Sequence, residues 1–354
     1  MKYFLLILAV AGIIGASLIG YYYYGQDKSF INPISEQAAK ITAMPLEKYE
    51  IEKLRKVSFE PGEITLGEIV FEDDDIVSRM FYFQDKGASG NEEGLKVSGL
   101  MNYPKSEGDY PVVVMFRGFV DREIFTSGEG TRRSGEELAR NGFISLAPDF
   151  LGYGQSEMPS QEPLEERFQT YTTALSLLAS VENLNDALST DSEISATADI
   201  EKLGVFAHSN GGQIALTSVG ILGTEIPVVL WAPVTKPFPY NILYFTDEYD
   251  DQGKALRALV AEFEKNYDVF DYSILSHLNL IKSPLQIHQG SDDEAVPQRW
   301  SDQFVEIAED DELEVEYLVY PGENHNFGNG SWPLAIEGSI EFFNTKFNEK
   351  DGES

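Results

Sequence analysis

The sequence predicts an α/β fold in which a mostly parallel sheet is flanked by helices. From about residue 60, runs of β-branched and aromatic residues alternate with runs of helical periodicity, the order expected of strands joined by crossover helices. Runs such as VVVMF and VVLW are apolar without interruption, as in strands buried on both faces. The chain has 354 residues, 42% of them apolar. That is ample for the core of one large domain or two small ones.

Taken in order, the first element stands outside this rhythm. Residues 3–24, YFLLILAVAGIIGASLIGYYYY, carry no charge. As a helix they would reach roughly 33 Å, enough for a hydrocarbon core of about 30 Å. Residues 21–24 are all tyrosine and would sit at headgroup level. The expectation is a single-pass transmembrane helix within residues 1–24, with the bulk of the chain outside the cytoplasm. Lys2 favours a cytoplasmic N-terminus, and Lys28 blunts that signal. A cleaved signal peptide, with Gly15 and Ser17 before the cut, is the alternative and implies secretion. Residues 25–58 read as a polar tether and a lead-in helix, MPLEKYEIEKLRK.

Residues 59–348 form the predicted domain. Its strands are EITLGEIVF, SRMFYFQ, LKVSGLMNYP, YPVVVMF, FISLAPDF, LGVFAHS, PVVLWAP, SPLQIHQG and VEYLVYP. The helices among them are SGEELARNG, the long PLEERFQTYTTALSLLASVENLNDAL, GGQIALTSVGIL, QRWSDQFVEIAED and PLAIEGSIEFFNTKF. Residues 235–283, aromatic and acidic, interrupt the alternation and suit a small helical cap over the strand ends. Residues 349–354 read as a disordered tail.

Charge and composition exclude several classes. With 26 basic against 59 acidic residues the net charge is −33, which disfavours nucleic acid as a partner and suits a solvated surface. The chain has no cysteine, so disulfides, thiol catalysis and zinc ribbons are excluded.

Ligands of such sheets bind at the carboxyl ends of strands. There the run VFAHSNGGQIAL turns from strand to helix at Ser209, the context of a nucleophile elbow. Ala207 stands where that motif carries glycine, and alanine is the next smallest choice. A serine here could also be a plain helix cap, so its partners decide. Of four histidines, His208 neighbours the serine along the strand and points to its other side. His288 lies within a strand pattern, and His277 lies in the cap. His325, in YPGENHNFG just past a strand end, is the candidate base. Asp292 and Asp293, in HQGSDDEAVP, are candidates for the carboxylate that fixes the histidine tautomer. The resulting order of serine, acid and histidine is that of α/β-hydrolases. The backbone N–H groups of Asn210 and of Phe119, after Gly118 in RGFVD, are candidate oxyanion donors.

The region from about residue 78 to 346 resembles the catalytic domain of the prolyl oligopeptidase family within the α/β-hydrolase superfamily. The matching motifs are LKVSGLMNYP, YPVVVMFRG, DFLGYGQS, LGVFAHSNGG, IKSPLQIHQGSDDEAVP and YPGENHNFG. The resemblance implies the α/β-hydrolase fold and selects Asp293 as the acid, three residues before the valine of Val296-Pro297. It departs at Ala207 and at Arg117, which replaces a histidine; Arg117 is expected to pair with a nearby acid. Residues 25–58 are also too few for the β-propeller that often precedes this catalytic domain. The expected activity is that of a serine hydrolase forming an acyl-enzyme, a peptidase on small peptides. A carboxylesterase or thioesterase with the same Ser209, Asp293 and His325 is the alternative, and a non-catalytic binding module is the remote one. No metal or organic cofactor is expected.

Overall fold

The computed structural model describes residues 44–88 and 94–353. The apolar segment of residues 3–24 lies outside them. No helix among the described residues is long and apolar enough to cross a membrane.

The described strands form one sheet of nine, in the order β1-β2-β3-β5-β4-β6-β7-β8-β9. β1 (Thr65–Glu72), β2 (Ile76–Asp85) and β3 (Leu95–Pro104) form an antiparallel edge. β3 pairs antiparallel with β5 (Ile144–Pro148). From β5 onward, through β4 (Gly108–Phe116), β6 (Ala196–His208), β7 (Val228–Trp231), β8 (Leu285–Gly290) and β9 (Val315–Tyr320), all pairing is parallel. All nine sequence-predicted strands are present, and β6 begins seven residues early. There Ala196–Asp199 pairs with Gly108–Pro111, and a bulge then shifts the register so that Val112 faces Leu203.

The helices are α1 (Ile51–Leu54), α2 (Arg132–Arg140), α3 (Pro163–Ser180), α4 (Leu184–Leu188), α5 (Asn210–Leu222), α6 (Tyr240–Leu243), α7 (Lys254–Phe263), α8 (Gln298–Asp310) and α9 (Trp332–Glu353). They divide by the two-residue period of the strands. Val112, Val114 and Phe116 face a core shared with α3, α5 and α8. Val113 and Met115 face the opposite layer, with Leu138 of α2 and Phe343 and Phe347 of α9. Both sets are fully buried, so the unbroken apolar runs reflect packing on two sides.

Three expectations need correction. The lead-in helix is only a single turn of 3-10 helix, Glu47–Tyr49, followed by α1, but Ile51 and Leu54 are buried in the core. The long helix after β5 is interrupted at Val181–Asn183 by a 3-10 turn. The segment read as a disordered tail continues α9 as far as Glu353, held by Lys346, which pairs with Glu314 and Glu349.

The insertion after β7 is more than a cap. Its first part lies at the strand ends, where Asn241 hydrogen-bonds Gln213 in the first turn of α5. Its later part reaches the far end of α5, where Ile274 fills the space left open by Gly220. Phe168 of α3 joins its aromatic rings, with Phe238, Phe263 and Tyr272 at 5.6, 6.1 and 5.0 Å. A buried side chain of this size contributes roughly 2–3 kcal/mol through its apolar area.

Candidate active site

Ser209 occupies the sharp turn between β6 and α5. Its backbone sits at φ 56° and ψ −121°, a conformation that costs a non-glycine residue about 1–3 kcal/mol. The turn is held by its own backbone. Ser209 N–H donates to the Trp231 carbonyl, while the Ser209 carbonyl accepts from Gly212 and Val234. Gly211 is required on steric grounds, because a Cβ there would lie 2.1 Å from the Phe116 carbonyl oxygen. Ala207 is fully buried between Phe116 and Leu230 on the adjoining strands, so the missing elbow glycine is accommodated.

The loop after β4 closes on this turn. A Cβ on Gly118 would meet Ser209 Cβ at 2.9 Å, which puts the next peptide, the Phe119 amide, beside the serine. The Phe119 ring itself is exposed. Arg117 is buried and makes its hydrogen bonds to carbonyls, at 2.9 Å to Gly118 and 3.0 Å to Asp149. Its guanidinium also stacks over Tyr153 at 4.0 Å and Phe125 at 4.7 Å. The expected ion pair is thus replaced by main-chain oxygens and aromatic faces, and burial pushes the Arg117 pKa down. A trans peptide points its C=O and N–H to opposite sides. By holding the Gly118 carbonyl, Arg117 turns the Phe119 N–H the other way.

Asp293 and His325 come together across the ends of β8 and β9. His325 Nδ1 lies 2.8 Å from Asp293 Oδ2, and the carboxylate has no exposed surface. Its other oxygen accepts the Ala295 and Val296 N–H groups at 2.9 and 2.7 Å, and Gln289 Nε2 donates to Oδ2 itself at 3.1 Å. Gln289 is itself held by Ser301. The carboxylate therefore has one orientation. Asp292 takes no such part: its backbone N–H bonds the Glu323 carbonyl, and its side chain accepts from Ser291.

The histidine loop is tied down. Glu323 accepts the backbone N–H groups of Asn329 and Ser331. Asn324 caps Asn326 and Gly328. Phe327 is fully buried, with its ring 4.9 Å from that of Trp231 and 5.3 Å from that of Tyr320.

His208, set aside on the sequence, packs its ring 4.6 Å from that of His325 and bonds the His325 carbonyl through Nε2 at 3.0 Å. Burial, with His325 beside it, lowers its pKa to about 4, so at neutral pH it is uncharged and Nε2–H is the donor. His208 also lines a cavity of about 440 Å³ with Arg133, Trp231, Asn326 and Trp332. His288 is the expected core histidine, with Nδ1 on the Tyr320 hydroxyl and Nε2 on Gln286, both at 2.8 Å. The His277 ring bonds the Phe270 carbonyl. In the acidic cap, Asp251 accepts the Gly253 and Ala255 N–H groups at the start of α7; its charge serves the helix. Nothing in the spacing of the sequence marked His208, Gln289 or the carbonyl contacts of Arg117.

A sheet of this topology, with serine, aspartate and histidine loops at the carboxyl ends of parallel strands, defines an α/β-hydrolase. The model of the prolyl oligopeptidase family matches residues 170–350, half of the chain, and the chain belongs to that family, as its motifs suggested. It is 32% identical over 154 residues to dipeptidyl peptidase family member 6 of Caenorhabditis elegans, covering 41% of this chain and 20% of that protein. The chain spans 20%, 49% and 21% of the curated relatives it matches. Among solved structures, acetyl xylan esterase 1 from Thermoanaerobacterium superposes with a TM-score of 0.52 at 18% identity, over 84% of this chain and 92% of that one. A puromycin-hydrolyzing peptidase of Mycobacterium tuberculosis gives 0.55 at 18% identity, over 76% and 39%.

Proposed function

We propose that this serine hydrolase acts through an acyl-enzyme on small peptides or peptide-like amides, with Ser209 as nucleophile, His325 as base and Asp293 as orienting acid. The observation that carries the reading is the 2.8 Å contact between the buried Asp293 carboxylate and His325 Nδ1. A neutral imidazole facing a carboxylate keeps its proton on Nδ1, leaving the Nε2 lone pair to accept the serine proton. The carboxylate then stabilises the imidazolium, which returns the proton to the leaving group. The tetrahedral oxyanion is held by the Asn210 and Phe119 amides. Support for the donors comes from the approach of Gly118 to Ser209 and from Arg117 holding the intervening carbonyl.

Peptide bonds are preferred because two matching relatives are named as dipeptidyl peptidases or aminopeptidases. An acyl ester would use the same machinery. Turnover of aminoacyl anilides alongside short aryl esters decides between them; anilides untouched at any length leave only the esterase. A fluorophosphonate probe is expected to label the protein and not its Ser209→Ala variant, and failure to label the intact chain would remove the nucleophile. Asp293→Asn is expected to lower kcat by about 10⁴-fold.

Residues 3–24 are proposed as a membrane anchor that keeps the hydrolase outside the cytoplasm, on their uncharged length alone. Recovery of full-length protein in the soluble fraction, with residue 1 still attached, would refute this.

A further inference from the structure

We propose that Arg167, with Asn210 and Gln213, forms a subsite for a carboxylate carried on the acyl side of the scissile bond. The inference rests on the reading of Ser209 as nucleophile and names the substrate class: acyl groups with an acidic side chain or terminus.

Arg167 stands in the second turn of α3 and reaches the residue that follows the nucleophile. Its Nη2 lies 3.5 Å from Asn210 Oδ1 and 3.4 Å from Gln213 Oε1, at the outer limit of a hydrogen bond. The Gln213 oxygen is already taken by Asn241 Nδ2. Two donors, Arg167 Nε and Gln213 Nε2, are buried without any partner, although Gln213 is only 2% exposed. Buried donors in folded proteins are almost always satisfied, and these two belong to side chains that approach within 3.4 Å of each other at the first helical turn after Ser209.

The charge points the same way. No carboxylate among the described residues pairs with Arg167; only the phenols of Tyr171 and Tyr249 offset the fall in pKa that burial imposes. A buried cation is ordinarily paired. This one, half-buried by its surface, has no anion among the described residues.

The side of the site follows from the two faces of the sheet. His325 returns its proton to the leaving group, so that group departs beside the histidine. His325 packs on His208, and His208 shares a cavity with Trp231 and Arg133 on the α2 and α9 face. Arg167 approaches from α3, on the opposite face. The acyl portion is the part of the substrate that lies toward it.

The test compares 4-nitrophenyl hydrogen glutarate with 4-nitrophenyl valerate, activated esters that either a peptidase or an esterase would cleave. The intact protein is expected to favour the glutarate in kcat/KM by about tenfold to a hundredfold, the worth of one charge-assisted hydrogen bond. Arg167→Met is expected to erase that ratio, and Arg167→Lys to keep part of it. A ratio near unity in the intact protein, or one unchanged in a folded Arg167→Met, overturns the subsite. Fluorophosphonate labelling of Ser209 separates the layers. Labelling without charge preference removes the subsite alone. Absence of both labelling and turnover removes the nucleophile and the subsite together.

Discussion

One guanidinium illustrates how much of this site is set by residues that never touch a substrate. Arg117 holds the Gly118 carbonyl and so decides where the next N–H points. On the proposed oxyanion role of that N–H, Arg117→Met is expected to lower kcat by about tenfold to a hundredfold and leave KM nearly unchanged, because such a donor acts mainly in the transition state; a change in KM alone would reduce Arg117 to a packing role. His288 yields a different test. Burial lowers its pKa to about 3 from an ordinary 6.5. Between those values the unfolded chain binds a proton that the folded chain refuses, so stability is full above about pH 6.5 and falls as the pH drops toward 3. Urea midpoints across that window are expected to fall less steeply for His288→Gln than for the natural chain. At this scale the sequence was partly legible. Ser209 and His325 stood out because each sits where a strand run ends in Gly and Asn. Gln289 and Arg167 did not, since a polar residue on a strand or helix acquires meaning only from what another element brings to it.

Elements were the most readable level. The central strand runs were apparent because burial on both faces leaves an unbroken apolar signature, whereas β1 and β9, largely exposed or half-exposed, showed through their β-branched and aromatic residues. The early start of β6 was hidden because Ala196–Leu203 alternates with polar residues as a loop would, although Ala196–Asp199 pairs with β4. The insertion was misread in extent. Its acidic and aromatic composition suggested a cover for the strand ends, whereas its buried rings serve α3 and α5 along their length. The packing of α5 against the sheet gives the sharpest prediction here. A methyl at Gly211 meets the Phe116 backbone, and backbone cannot swing aside as a side chain would. Gly211→Ala is expected to cost about 3 kcal/mol or more and to reduce turnover through displacement of Ser209. A denaturation midpoint indistinguishable from the natural chain would contradict the close packing.

For the molecule as a whole, a net charge of −33 is both protection and burden. It opposes association and also strains the folded state by self-repulsion. Raising sodium chloride from about 0.01 M to about 0.5 M shortens the screening length from roughly 30 Å to under 10 Å. The melting temperature is expected to rise over that range, and a fall would show that attractive surface pairs outweigh repulsion. A last consequence comes from Phe327, the ring wedged against Trp231 two residues beyond His325. A histidine arm fastened to the interior has no separate way to come loose. Warming should therefore leave the enzyme working until the body itself gives way, with loss of activity and loss of tryptophan signal tracing a single curve.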